Sequence, residues 1–261
     1  MLGGASLPQP GPPPTLLRLL RLGQPRSAED TRMAGGTRLS LERHLPPAFH
    51  QHTQNPISKR GALNTMTERF KQIRYEDLAP EVRPLADDIL KVSSAALGGP
   101  YNALLRSPDM ARRCFDFLDY LRFKTSVSKR LNEFAILIQA RIANAQYEWW
   151  AHDPIAQRAG LSTDIIEQLR QCKRPEGMQA DEALVYDFCI QLSLNHRVPD
   201  ALWQQAVTEM GEQAVVDLTV LSGTYVMVSM LLNATQVGIP NGGAEPLEVL
   251  SPLDIRQRLL A

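Results

Sequence analysis

"NEFAILIQARIANAQYEWWAHDPIAQRAGLS", residues 132–162, is the stretch whose reading decides the fold. Leu131, Phe134, Ile138 and Ile142 recur through its first half at helical spacing. Glu133 stands against Phe134, Ala135, Ile136 and Leu137. A carboxylate there either faces solvent or is held in an apolar wall by a partner, for which Arg130 and Arg141 are the candidates. The second half carries Glu148 four residues before His152, which puts both on one helical face. Asp153-Pro154 can then cap that helix and restart another as "DPIAQRAG". An acid on one helix therefore faces an acid and a histidine on the next.

Taken alone, Glu148 with His152 is the pattern of a surface salt bridge, worth little. Tyr147, Trp149 and Trp150 make the surrounding helix too apolar for full exposure. That tips the reading toward a site built on Glu133, Glu148 and His152. Trp149 and Trp150 are adjacent and cannot share a face. One packs in the core and the other lines a pocket or a subunit contact. Tyr147 can donate a hydrogen bond to a substrate or fill the core. Tyr101 and Asn102, in "GGPYNALLRSP", are within reach of a pocket. Arg106 can hold a carboxylate bidentately, although a solvated arginine is the commoner case. The candidate substrate-binding residues are thus Tyr147, Trp149, Tyr101 and Arg106.

Working outward, the pattern after residue 66 is helical and contains no alternating strand. "APEVRPLADDILKVSSAALGGP" predicts a helix from near Pro80 that stops at Gly98-Gly99-Pro100. "SPDMARRCFDFLDYLRFKT" has Ser107 as N-cap, Pro108 in the first turn, and Met110, Cys114, Phe117, Leu118 and Leu121 as its apolar stripe. Further helices begin at Ser162 and over "ADEALVYDFCIQLSLNH" and "PDALWQQAVTEMG". Residues 214–239 are apolar but interrupted by Asp217, Ser222, Gly223, Thr224, Ser229 and Asn233. They read as a buried helix or an oligomer contact rather than a membrane span. The expectation is one all-α domain over 66–261, of some eight helices.

Residues 1–65 differ. They are rich in proline and arginine and lack periodicity, so a disordered extension is expected there. An over-extended gene start, with Met66 as the true beginning, and a mitochondrial targeting segment are the other readings. His50 and His52 have no cysteine partners and make a poor metal site. The chain has 261 residues, 44% of them hydrophobic, with 28 basic and 28 acidic side chains. Balanced charge gives no reason to expect nucleic acid. Cys114, Cys172 and Cys189 form no CxxC and no even framework, which fits a reducing, cytoplasmic setting.

At the quoted stretch the sequence resembles the carboxymuconolactone decarboxylase and alkylhydroperoxidase-D-like superfamily. "GGPYNALLRSPDMARR" (98–113) and "SMLLNATQVGIP" (229–240) extend the resemblance over most of 75–250. It implies an AhpD-like helical fold and a homo-oligomer, trimer or hexamer. The superfamily's redox members have a glutamate, a CxxC pair, and a histidine four residues after the second cysteine. Glu133 and His152 match the glutamate and the histidine, while Ala145 and Glu148 stand at the cysteine positions. Neither can supply a thiolate, so a peroxiredoxin label is chemically doubtful here. The decarboxylase branch implies loss of CO₂ from an unsaturated carboxylated lactone in aromatic-compound catabolism, with no cofactor and no metal. Histidine titrating near about 6.5 would be its general acid, with a glutamate orienting it. The expectation is a cofactor-independent lyase acting on a small molecule; the alternative is a non-catalytic oligomeric binding protein of the same fold.

Overall fold

Ten α-helices and no strand make up the described residues, which are 68–93 and 95–261 of a computed structural model. They are α1 (Arg83–Val92), α2 (Pro100–Leu104), α3 (Pro108–Phe123), α4 (Lys129–Ile142), α5 (Gln146–Arg158), α6 (Thr163–Arg170), α7 (Ala180–Asn195), α8 (Asp200–Met210), α9 (Glu212–Thr235) and α10 (Pro252–Leu260). The readings of 1–65, and of Met66 as a start, lie outside the described residues. The all-α expectation stands.

Helix α4 is the centre. Every residue from 131 to 141 is buried, so the helix has no solvent face. Helices α3, α5, α6, α7 and α9 pack around it. Four of its buried side chains are polar or charged beyond what an apolar wall tolerates unpaired, and each reaches a different neighbour. Asn132 donates to the Leu121 carbonyl at the end of α3, at 2.8 Å. Glu133 meets His152 of α5. Gln139 accepts from Ser193 of α7 at 2.9 Å. Arg141 donates to the Glu248 carbonyl at 2.9 Å and the Arg170 carbonyl at 3.2 Å.

The turn from α4 to α5 sets the register of the site. Asn144 sits in the left-handed region at φ 50. The Asn144 N–H donates to the Arg141 carbonyl at 3.2 Å and the Ala145 N–H to the Ala140 carbonyl at 2.9 Å. That is a Schellman closure, with asparagine in place of the usual glycine. The C-terminal segment 246–250 straps this turn down. The Asn144 amide exchanges two hydrogen bonds with the Leu250 backbone, at 2.9 and 3.2 Å, and the Gln146 amide does the same with Leu247, at 2.9 and 2.8 Å. Arg170 adds a bond to the Pro246 carbonyl at 3.1 Å.

Several local expectations change. Gly98-Gly99-Pro100 does not end α1, which already stops at Val92. Gly99, at φ 60, instead swings the chain into Pro100, which opens α2. Helices α2 and α10 are the two that the sequence reading does not announce. Asp153-Pro154 does not restart a helix. Helix α5 runs through Pro154, which is exposed; so is Trp150, whose carbonyl loses its i+4 donor. On α3 the buried stripe is Ala111, Phe115, Leu118 and Leu121. Met110 and Phe117 are 47% and 45% exposed, because α3 carries two apolar faces and the core takes the other one.

Helix α9 is long and apolar enough to cross a membrane by length and composition, and 56% of its most apolar window is buried. It packs against α2, α4, α5, α7 and α8. Thr219, Ser222, Thr224 and Thr235 turn their hydroxyls onto carbonyls one turn back. Asp217 accepts from the Ser126 backbone and hydroxyl at 2.9 and 2.8 Å, tying α9 to the α3–α4 loop.

Asn144→Ala should cost about 2–3 kcal/mol, from left-handed strain and the lost side-chain hydrogen bonds to Leu250 and Arg141. Asn144→Gly loses only the bonds and should cost less. Urea denaturation measures both; a variant pair indistinguishable from the parent would remove the strap from the account.

Candidate active site

Glu133 has no solvent exposure. Its carboxylate lies between two cations. His152 Nδ1 is 2.6 Å from Glu133 Oε2, and Lys129 Nζ makes an ion pair with Glu133 Oε1 at 2.5 Å. The partner on its own helix is therefore Lys129, one turn back, and neither Arg130 nor Arg141. Arg130 is occupied by Asp181, at 2.6 Å, and by Glu182. Arg141 holds the C-terminal strap. The second imidazole nitrogen, His152 Nε2, is 3.1 Å from Glu148 Oε1.

Both ring nitrogens thus face carboxylate oxygens, and both can donate only if the ring carries two protons. Burial alone would push His152 down. The Glu133 and Glu148 carboxylates outweigh it and lift the imidazole to about 9. Burial likewise works against an ionised Glu133, but the His152 and Lys129 charges bring it down to about 2. The site holds an imidazolium clamped between two carboxylates.

Glu148 and His152 form one wall of a cavity of about 70 Å³ with an open mouth. Tyr101, Arg122, Tyr147, Tyr225 and Ser93 also line it. Glu133 stands behind His152 and does not line it. Tyr225 meets the imidazole edge-on, with centroids 5.3 Å apart and planes at 86°. The Tyr147 ring lies where a Cβ on Gly99 would be, 2.5 Å from its hydroxyl and 2.7 Å from its ring, so that glycine is what lets the ring in. Burial raises all three phenols, Tyr147 to about 12, and keeps them as neutral donors.

Of the predicted site residues, Glu133, Glu148 and His152 converge, and Tyr101 and Tyr147 line the cavity. Arg106 does not. It donates to the Asn102 and Lys71 carbonyls and stacks on Phe70 at 4.2 Å, so its guanidinium is spent clamping residues 70–73. Asn102 accepts from the Ile73 N–H at 3.0 Å in the same clamp. Trp149 is fully buried in the core rather than at the cavity, and Trp150 packs on Tyr147 with ring centroids 5.5 Å apart and planes tilted by 49°. Arg122 and Tyr225 are the lining residues that the sequence reading misses. Arg122 continues the α3 stripe Ala111, Phe115, Leu118 by one more turn, and a cation at a stripe position is the signal that points to it.

The cysteines lie elsewhere. Ala145 is fully buried at the first of the two thiol positions. Cys172 and Cys189 are buried, and burial pushes their thiols up, Cys189 to about 12. Among the described residues no group of three or more His, Cys, Asp or Glu side chains is arranged to hold a metal ion.

The fold is similar to a solved structure of the alkylhydroperoxidase AhpD core, an uncharacterized peroxidase-related protein from Ralstonia eutropha JMP134. The superposition has a TM-score of 0.57 and 16% sequence identity, and it covers 67% of this chain and 93% of that one. This shows an AhpD-like fold. No family model and no curated protein matches the sequence.

The charge clamp predicts a pH window for stability. His152, raised to about 9, contributes fully below its unfolded value of about 6.5 and loses that contribution as pH rises through 9. Glu133, lowered to about 2, contributes above about 4.5 and loses it as pH falls toward 2. Stability should therefore drop between pH 6.5 and 9 by up to about 3 kcal/mol in denaturant titrations. His152→Gln should flatten that limb; a parent protein equally stable at pH 6.5 and 9 would contradict the imidazolium.

Proposed function

We propose that the protein is a cofactor-independent acid–base enzyme of the decarboxylase type, acting on a small unsaturated acid or lactone acid. The observation that carries this reading is the imidazolium of His152 at the cavity wall, bracketed by two carboxylates. In this reading the bond from the substrate carbon to its carboxylate breaks and CO₂ departs. The electron pair stays on the carbon as a dienolate. His152, with Glu148, delivers a proton to that carbon. Glu133 holds Nδ1–H, fixes the ring and stabilises its charge. Lys129, half-exposed at the outer end, balances Glu133. Nδ1–H stays hydrogen-bonded to Glu133, and a proton taken up from solvent at Nε2 restores the imidazolium.

An acid that titrates at about 9 gives a rate that is flat through neutrality and falls as pH rises through that value. CO₂ release from a panel of unsaturated lactone acids is the assay. His152→Ala should lower it at least about a hundredfold with the helical spectrum unchanged, and Glu148→Gln should move the pH profile. Release that survives His152→Ala would end the acid–base reading. Peroxide reduction with a dithiol donor should not exceed that of free thiol, since Ala145 and Glu148 cannot form a sulfenate or resolve one. Turnover abolished by Cys114→Ser, Cys172→Ser or Cys189→Ser would reverse this.

We also propose a homo-oligomer assembled through α9. Val216, Val220, Met227 and Met230 are 56%, 37%, 39% and 65% exposed, and with Gly223 they recur at alternating steps of four and three. That is the seam along which helices pair. Light scattering should give a multiple of 29.1 kDa. Met230→Glu should shift it toward the monomer; a monomeric parent at micromolar concentration would refute the assembly.

A further inference from the structure

We infer that Arg122 is the anion anchor of this cavity, so that its ligand carries a carboxylate held beside the His152–Glu148 wall. The inference rests on the acid–base reading for its catalytic meaning, but not for its charge argument. His152 and Lys129 are cations, and Glu133 and Glu148 are the anions they face. These cancel, and Arg122 is left over. Among the described residues no carboxylate lies within ion-pair distance of it. Its Nε is buried without a hydrogen-bond partner. One face of the guanidinium rests 4.8 Å from the Phe123 ring centroid, which leaves the N–H edge to be used. A buried guanidinium edge of this kind needs an acceptor, and the planar acceptor that matches it with two oxygens is a carboxylate.

The surroundings agree with this choice. Arg122 lines the cavity together with Tyr101, whose phenol burial raises and the Arg122 charge draws back. Tyr225 experiences the same two influences, with the Glu148 charge adding to the rise. Tyr101 is hydrogen-bonded to Arg122, and neutral phenols beside a guanidinium that no carboxylate neutralises offer donors to an anion and repel nothing. The cavity, of about 70 Å³, opens to solvent, so a carboxylate can enter it and leave the remainder of a ligand in the open mouth. Helix α3 delivers Arg122 there by the stripe that buries Phe115 and Leu118. The anchor and the proton donor thus come from different helices that line one small space. A substrate acid bound in this way presents its carboxylate to α3 and its unsaturated carbon to α5.

The test uses acetate as the probe, acetamide as its neutral isostere, and the ring resonances of His152 in the full chain. Acetate should bind saturably and shift those resonances, and acetamide should not. Arg122→Gln should weaken acetate at least about tenfold, and Arg122→Lys should recover part of the loss, since it keeps the charge without the planar fork. Equal binding of acetate and acetamide by the parent would overturn the proposal without any variant. Undiminished acetate affinity in a folded Arg122→Gln protein would overturn it as well. Binding is read without turnover, so the two readings fail separately. Arg122-dependent acetate binding with no acid turned over retains the anchor and removes the enzyme, whereas turnover indifferent to Arg122→Gln does the reverse.

Discussion

A carboxylate without solvent exposure, Glu133 in the middle of the central helix, is the constraint around which the rest is arranged. An ionised group in such a place costs several kcal/mol unless it is paired. Lys129 reaches it from one turn back and arrives from the protein edge. The other partner must come from a second helix, and His152 supplies it at 2.6 Å. This fixes how α5 is placed against α4. The Asn144 turn and the 246–250 strap hold the same placement from the far side, by hydrogen bonds that use backbone on one partner and amide side chains on the other. Once His152 is fixed by Nδ1, its Nε2 points at Glu148 one turn back along α5, and the cavity wall follows.

The same constraint decides what the site can do. A histidine between two carboxylates stays protonated through neutrality, which suits giving a proton more than taking one. A thiol centre on this fold would occupy the positions of Ala145 and Glu148. Ala145 is packed under the turn with no exposure, and Glu148 has become the second arm of the clamp. With alanine and glutamate at these two positions the site offers no thiol, while Glu133 and His152 stay in contact.

Much of this is legible from residue types and spacing. Glu133, Glu148 and His152 announce themselves as charges set among aromatic and aliphatic neighbours at helical intervals, and the all-α architecture follows from the same period. What is not legible has physical reasons. Helix α3 has two apolar stripes, and spacing alone does not say which is buried; choosing the wrong one hides Arg122. Lys129 is indistinguishable in sequence from a solvated lysine. Arg106 resembles a substrate anchor until Lys71, Asn102 and Phe70 are seen to consume it. Tyr225 is concealed in a long helix that reads as mostly apolar core. The strap is made of bonds from the Asn144 and Gln146 side-chain amides to backbone about a hundred positions away, and no local pattern encodes it. Pro154 misleads because a proline on an exposed face costs a helix less than one in the core.

The central claim is the charge state of the clamp, and the direct measurement is the titration of the His152 imidazole by nuclear magnetic resonance, assigned with His152→Gln. The account predicts a ring that remains doubly protonated through neutrality and titrates at about 9, with both nitrogens bearing hydrogen at pH 7. A single midpoint at or below the ordinary value of about 6.5, with one bare nitrogen at neutral pH, would contradict it.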